Sequence, residues 1–365
     1  MLHNSQAHVF SVTFDGTICN FSMCTNLGAN FEYGSNFKPY FTNPVTMKKC
    51  FVILDPCHMI KLVRSTLGDK RVLKTADNLV IKWEFIVKLY NLQQKEGLKA
   101  ANKLTKKHIQ CSNNRMNVKL AMQTLSRSVS KSLEFVTTLH DNTIKTEFNG
   151  CLPTSQYCLQ FNNIMDMLNC KNRFSKSEYN TALTESNYSQ LQEHAKQFEN
   201  YINTLYDNTG TPILKSGRKT GFLGMIIGLR NMFPLYDELK NIGLTYLLTY
   251  KLSQDYLETF FSAIRTRGGF NNNPNALNFQ NAYKRLLIRH EIKELENGNC
   301  LFDNIDILHV SSKNLKCPIS DSSNFNELKM DFAHDYVKTF WDLSPFVENV
   351  VLYIAGYVCN KVKKK

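Results

Sequence analysis

Twice in its first 55 residues the chain runs apolar and β-prone and then stops on an aspartate. HVFSVTFD (8–15) ends at Asp15–Gly16, and CFVILD (50–55) ends at Asp55–Pro56. Valine, isoleucine and phenylalanine at that density suit a buried, pleated strand. Each run leads into a helical segment, one over 20–28 with Gly28 closing it and one from His58 to about Leu67. Strand, acid and helix in repetition is an α/β pattern. Open α/β sheets place ligands beyond the carboxyl ends of their strands, so both aspartates stand where a site is expected.

From residue 75 the period changes from two to between three and four. LVIKWEFIVKLYNLQQ and MNVKLAMQTLSRSVSKSLEFV read as helices, with Val118, Leu120, Ala121, Leu125, Val129 and Leu133 marking one apolar face. YCLQFNNIMDMLN, YSQLQEHAKQFENYINTL and FLGMIIGLRNMFPLYDELK continue the pattern, broken by TGTPILKSGRKTG (209–221). A connection of this size is too long for a loop and predicts an inserted helical domain. It contains no GxxxxGK[ST], so a phosphate-cradling loop of that type is not expected.

The stretch from Leu252 to Leu287 returns to acids. Asp255 and Glu258 are three apart and share a helix face, beside an apolar stripe of Tyr256, Leu257, Phe260, Phe261 and Ile264. One reading is a helix N-terminus with Ser253 as cap and acids favouring the dipole. The other is a cation site beside a polyanion, because Arg265, Arg267, a Gly268–Gly269 breaker and an Asn-rich loop follow directly.

Composition narrows the partner. A net charge of +13 favours a polyanion, nucleic acid first. No run of about 18 apolar residues predicts a membrane span, and the first residues lack the pattern of a secretory signal. Eleven cysteines include no CxxC pair, which favours reduced thiols over a zinc cluster or disulfide framework. Beyond 292 the chain reads as a polar linker, then a short packing helix over 345–359, ending in a solvated KVKKK.

SQDYLETFF followed by RTRGGFNNNPNALNFQNAYKRLL closely resembles the C-terminal catalytic region of P element-type transposases, including the THAP-domain transposases. The resemblance implies an α/β fold: an RNase H-like core, incomplete here, split by a large mostly α-helical insertion that binds guanine nucleotide. The implied segments are 1–74 and 246–292 for the core, 75–245 for the insertion, and 293–365 for a C-terminal linker and helical region. It implies Mg²⁺-dependent DNA cleavage and strand transfer at a two-metal site held by two aspartates and a glutamate. VTFDG resembles the context of the second aspartate, so Asp15 takes that role, Glu258 is the glutamate, and both are metal ligands. Asp255 is a supporting acid. LDPCHMIK resembles the family's DPPHLxK segment, which leaves open that Asp55 is the ligand in place of Asp15. His58 and Lys61 then have structural or DNA-contact roles.

The first aspartate has no counterpart in this chain, which is accordingly expected not to transpose alone. An alternative is a domesticated DNA-binding regulator without catalysis. LTKKHIQCSNNRMNVKLAMQTLS and FNNIMDMLNCKN resemble the GTP-binding insertion. Asp166 matches the acid there and would accept from the guanine edge, with Asn114, Asn117 and Lys119 as further contacts. Met165 stands where the family has an aromatic. Arg265, Arg267, Lys284, Arg285 and Arg289 would contact the phosphates of transposon-end and target DNA. A nuclear location and a homo-oligomer when intact are also implied.

Overall fold

Residues 7–289, apart from 98, 176, 270 and 272, are described by the computed structural model. The linker and the last helix expected beyond 292 lie outside the described residues.

The first sheet contains both acid-terminated strands. β1 (Ser11–Phe14), α1 (Ile18–Asn26), β2 (Tyr40–Thr42), β3 (Lys49–Leu54) and α2 (Pro56–Lys70) follow in order. The strand order is β1-β3-β2, with β1 parallel and β2 antiparallel to β3. Every residue from Cys50 to Leu54 is buried, the uninterrupted apolar run of a strand covered on both faces. α2 starts immediately after it. Asp55 is the N-cap, its carboxylate accepting the His58 N–H at 3.0 Å, and Pro56 holds the first helical position, where no N–H is needed.

The middle of the chain is mostly helical. After β4 (Val72–Thr75) and β5 (Val80–Lys82) come α3 (Trp83–Glu96), α4 (Lys106–Ile109), α5 (Val118–Thr124), α6 (Arg127–Thr138), α7 (Asn142–Glu147), α8 (Leu152–Leu168) and α9 (Tyr188–Asn203). β6 (Leu205–Asp207) and α10 (Lys219–Lys240) complete it. Periodicity missed one feature. β4, β5 and β6 form a second, antiparallel sheet in the order β5-β4-β6. Its strands have three or four residues each, too few to register a period of two beside a long helical run. None of the described helices is long and apolar enough to cross a membrane.

α10 covers the first sheet, packing on α2 and β3. Two glycines permit that approach. A Cβ on Gly221 would meet Leu62 Cβ at 2.8 Å and the Val63 nitrogen at 3.1 Å, and one on Gly224 would overlap the Met59 side chain. Asn231 then pins the helix to the sheet: its buried amide donates to the Pro39 and Val52 carbonyls, both at 2.7 Å.

α11 (Asp255–Arg267) and α12 (Ala276–Arg289) close the described chain. Residues through Thr259 belong to one compact unit and residues from Phe260 to another. In the second unit Ala263, Ile264, Ala282 and Leu286 form a small core lined by Phe260 and Phe279.

Candidate metal centre at the strand ends

The parallel register pairs Phe14 with Leu54, so Asp15 and Asp55 each stand one residue past the end of adjacent strands. The Asp55 N–H donates to the Phe14 carbonyl at 2.9 Å, extending the ladder to the acids themselves. The segment entering α11 folds over this edge. Thr13 Oγ1 donates to the Leu252 carbonyl at 3.0 Å. Gln254 gives its side-chain amide to the Thr13 carbonyl at 3.4 Å and its backbone N–H to Asp55 Oδ1 at 3.3 Å. Residues 241 apart in sequence are thereby hydrogen-bonded. Ser253, expected to cap α11, lies one place further out: its hydroxyl accepts the Asp255 N–H at 3.4 Å, and Gln254 O takes the Glu258 N–H.

This docking aims the first turn of α11 at the end of β3. One ligand atom each from Asp55, Cys57 and Asp255 lies within 4.8 Å of the other two, and all three residues are buried. Cys57 Sγ donates to Asp255 Oδ2 at 3.8 Å, and Asn169 Nδ2 approaches the same sulfur at 3.7 Å. The site is electrostatically crowded. Burial raises the Asp55 carboxyl, while the Gln254 and His58 N–H groups and the Lys61 charge pull it back. Burial, then repulsion from Asp55, pushes Asp255 up to about 6; Lys171 opposes this and Glu258 adds to it. The Cys57 thiol is raised well above its ordinary value by burial and by both aspartates. His58 is lowered, chiefly by burial and by Lys61, while Asp15 and Asp55 oppose the shift. Buried acids in such proximity favour protons or a cation between them.

The other expected residues are placed as follows. Asp15 is half-buried and accepts the Thr17 N–H at 3.3 Å, and its charge reaches His58. Glu258 is half-buried one turn beyond Asp255 and reaches it electrostatically. Among the described residues, Asp55, Cys57 and Asp255 form a group with ligand atoms close enough to share a single ion, and the charges of Asp15 and Glu258 reach His58 and Asp255. Lys61 is 5% exposed, so its charge serves Asp55. Cys57 and Asn169 carried no sequence signal: a lone cysteine two residues after an acid has no ligand spacing to recognise.

In the helical region, Asp166 on α8 is half-buried, accepts from Asn162 Nδ2 at 3.0 Å, and is raised to about 6 by burial against the pull of Arg127. Met165 beside it is a core residue. Asn117 is the N-cap of α5, accepting the Leu120 N–H, and the Asn114 amide donates to the Lys107 and Gln110 carbonyls. Lys119 is exposed. In the second unit Arg265 and Arg267 are half-buried and Lys284 and Arg285 exposed. Arg265 borders a pocket of about 580 Å³ with Phe261, Ile264, Asn273, Pro274, Ala276 and Phe279. The Arg289 side chain is not among those described.

Residues 57–182 match the family "TNP-like, GTP-binding insertion domain", and residues 250–284 match "TNP-like, RNase H C-terminal domain". The second match carries Asp255 and Glu258, the first begins at Cys57, and the two meet at the docked edge. The chain is a homologue of the P element-type transposases. It is 26% identical to the human DNA transposase THAP9 over 97% of its own length and 40% of that protein. It is 28% identical to the Drosophila melanogaster transposable element P transposase over 99% of its own length and 47% of that protein. The chain thus spans less than half of either curated relative. The Drosophila P element transposase strand transfer complex contains a chain of similar structure, with a TM-score of 0.66 and 25% identity, covering 80% of this chain and 63% of that one.

Proposed function

We propose that this P element-type homologue contributes to DNA cleavage and strand transfer, with a divalent-cation centre at the strand-end edge and guanine nucleotide held by the helical insertion. The observation that carries the reading is the hydrogen-bonded seat of α11 on β1 and β3, which delivers Asp255 to Asp55 across a long helical interruption. The donor set suits a cation: two buried carboxylates of raised proton affinity, each with an oxygen within 4.8 Å of the Cys57 sulfur. In this reading Asp55 and Asp255 hold the ion, and Asp15 and Glu258 complete the acidic rim. A bound divalent ion would supply charge stabilisation to the scissile phosphate and acidify an attacking water. The protein's part is to fix the acids on a rigid sheet edge and exclude bulk water from them.

Asp166 would accept from the guanine edge, with Asn114, Asn117 and Lys119 around the nucleotide. Arg265, Arg267, Lys284 and Arg285 would hold DNA phosphates of transposon ends and target in an oligomeric, nuclear assembly.

The test is cleavage of a labelled transposon-end duplex with Mg²⁺ or Mn²⁺ by a protein containing this chain. Glu258→Ala and Asp55→Ala are each expected to lower the rate by 100-fold or more, the scale on which loss of one charge-stabilising group registers. Cleavage unaffected by both substitutions would overturn the catalytic assignment, and DNA binding without cleavage would favour a regulatory role. Asp166→Ala is expected to abolish GTP binding while the unfolding midpoint holds; unchanged GTP affinity rejects that contact.

A further inference from the structure

We propose that the surface formed by Lys171, Arg173, Phe174, Tyr246, Tyr250 and Lys251 binds unpaired nucleotides of a DNA strand, stacking bases on its rings and holding phosphates with its cations. The inference deepens the DNA reading above and rests on it. Two short segments build the surface, and hydrogen bonds fix their backbones in place. Leu183 and Leu247 exchange both backbone hydrogen bonds, at 3.0 and 2.8 Å. The Cys170 N–H donates to Thr249 Oγ1 at 2.9 Å, and the Tyr250 N–H to the Cys170 carbonyl at 3.2 Å. The rings and cations therefore project from a preformed support. The Lys171 charge reaches Asp255, which sets the surface near the acids at the strand ends.

Arg173 places its guanidinium carbon 5.0 Å from the Phe174 ring centre and 4.4 Å from that of Tyr246. The Lys171 and Lys251 ammonium nitrogens stand 5.8 and 5.0 Å from the Tyr250 ring centre. Contacts of this kind occur about once in 70–80 residues, so four within two short segments exceed the scatter of an ordinary surface. Phe174 is 85% exposed, which leaves its ring open to a ligand. Segments 169–175 and 241–254 carry Lys171, Arg173 and Lys251 and no aspartate or glutamate. That charge selects a polyanion and repels a basic peptide. The rings select further. A nucleobase has an aromatic face to stack on them, whereas an acidic side chain has none. In a duplex those faces are already covered by neighbouring bases. Cations set among aromatic rings hold single strands without reading their sequence.

The experiment measures binding of the purified full chain to a short labelled oligothymidylate strand and to a duplex of equal length, across a range of salt. Phe174→Ala and Tyr246→Ala should each weaken the single strand by roughly 5- to 150-fold, the loss of one stacked base, and leave duplex affinity unchanged. Arg173→Gln should reduce the single-strand slope of log affinity against log salt by about 0.7. Photocrosslinking a 5-iodouracil strand to the native chain needs no variant to fold, and should label Phe174, Tyr246 or Tyr250. Equal losses on strand and duplex, no loss on the strand, or crosslinks confined to other segments overturn the proposal. Polyglutamate that displaces the strand as well as unlabelled strand does would assign the surface to an acidic polypeptide instead. Loss of GTP affinity in Phe174→Ala would assign it to the free nucleotide. If the duplex binds and the single strand does not, this inference falls while the DNA reading stands. If neither binds, both fall.

Discussion

At the scale of single residues, the molecule keeps two aspartates in unfavourable surroundings for different ends. Asp55 combines a local role with a distant one: it caps α2 and also receives the Gln254 N–H. Asp166 is the second case, raised to about 6 by burial with Arg127 and Asn162 opposing. An acid whose folded-state affinity for protons exceeds its unfolded one lends stability below the unfolded value. That contribution is lost as pH rises through the folded value. Asp166→Asn should therefore stabilise the chain at pH 8, with the advantage shrinking as pH falls through about 6 and gone near pH 4. Urea-unfolding midpoints across that range check it, and a constant offset at every pH would refute the shift. If Asp166 reads guanine as a carboxylate, GTP affinity should weaken over the same interval. The two aspartates also show what a sequence can disclose. Asp55 is legible because a strand ends on it, whereas the contact of the Asn169 amide with Cys57 Sγ is not, since it exists only once α2 and the end of α8 converge.

At the scale of elements, α10 and α11 set the site by opposite means. α10 supports it from behind through a close glycine face and the Asn231 amide. Gly221→Ala should cost about 1–3 kcal/mol, the usual range for overpacking, because the facing atoms include α2 backbone that has little freedom to retreat. Asn231→Leu should cost a similar amount by removing the amide donor to the buried Val52 carbonyl, while the Pro39 carbonyl keeps only the Val52 N–H. Both are read from denaturant midpoints at constant m-value. α11 joins the sheet mainly through polar contacts of residues 252–255. Gln254→Ala should leave global stability within about 1 kcal/mol while raising hydrogen exchange at the ends of β1 and β3. Equal exchange there would show that the seat depends on something else. The short strands of the second sheet were hidden from pattern reading because β4 pairs with β6 across the helices α3 to α9, a pairing no local window contains.

At the scale of the whole molecule, the proposed DNA contact rests on a net charge of +13 and the arginines after Glu258. Arg265→Ala and Lys284→Ala should each weaken DNA binding without altering site preference and reduce the slope of log affinity against log salt by roughly 0.9. An unchanged slope removes those side chains from the interface. What the sequence determined by itself was the inventory of parts: two acid-terminated strands, a helix bearing acids on one face, and a helical interruption between them. Those follow from near-neighbour periodicity and cap chemistry, which act within a few residues. Which acids come close to one another was decided only by tertiary structure. The register of β1 on β3, the glycine-fitted approach of α10 and the polar seat of α11 are contacts between distant segments. Together they bring ligand atoms of Asp55, Cys57 and Asp255 within 4.8 Å of one another.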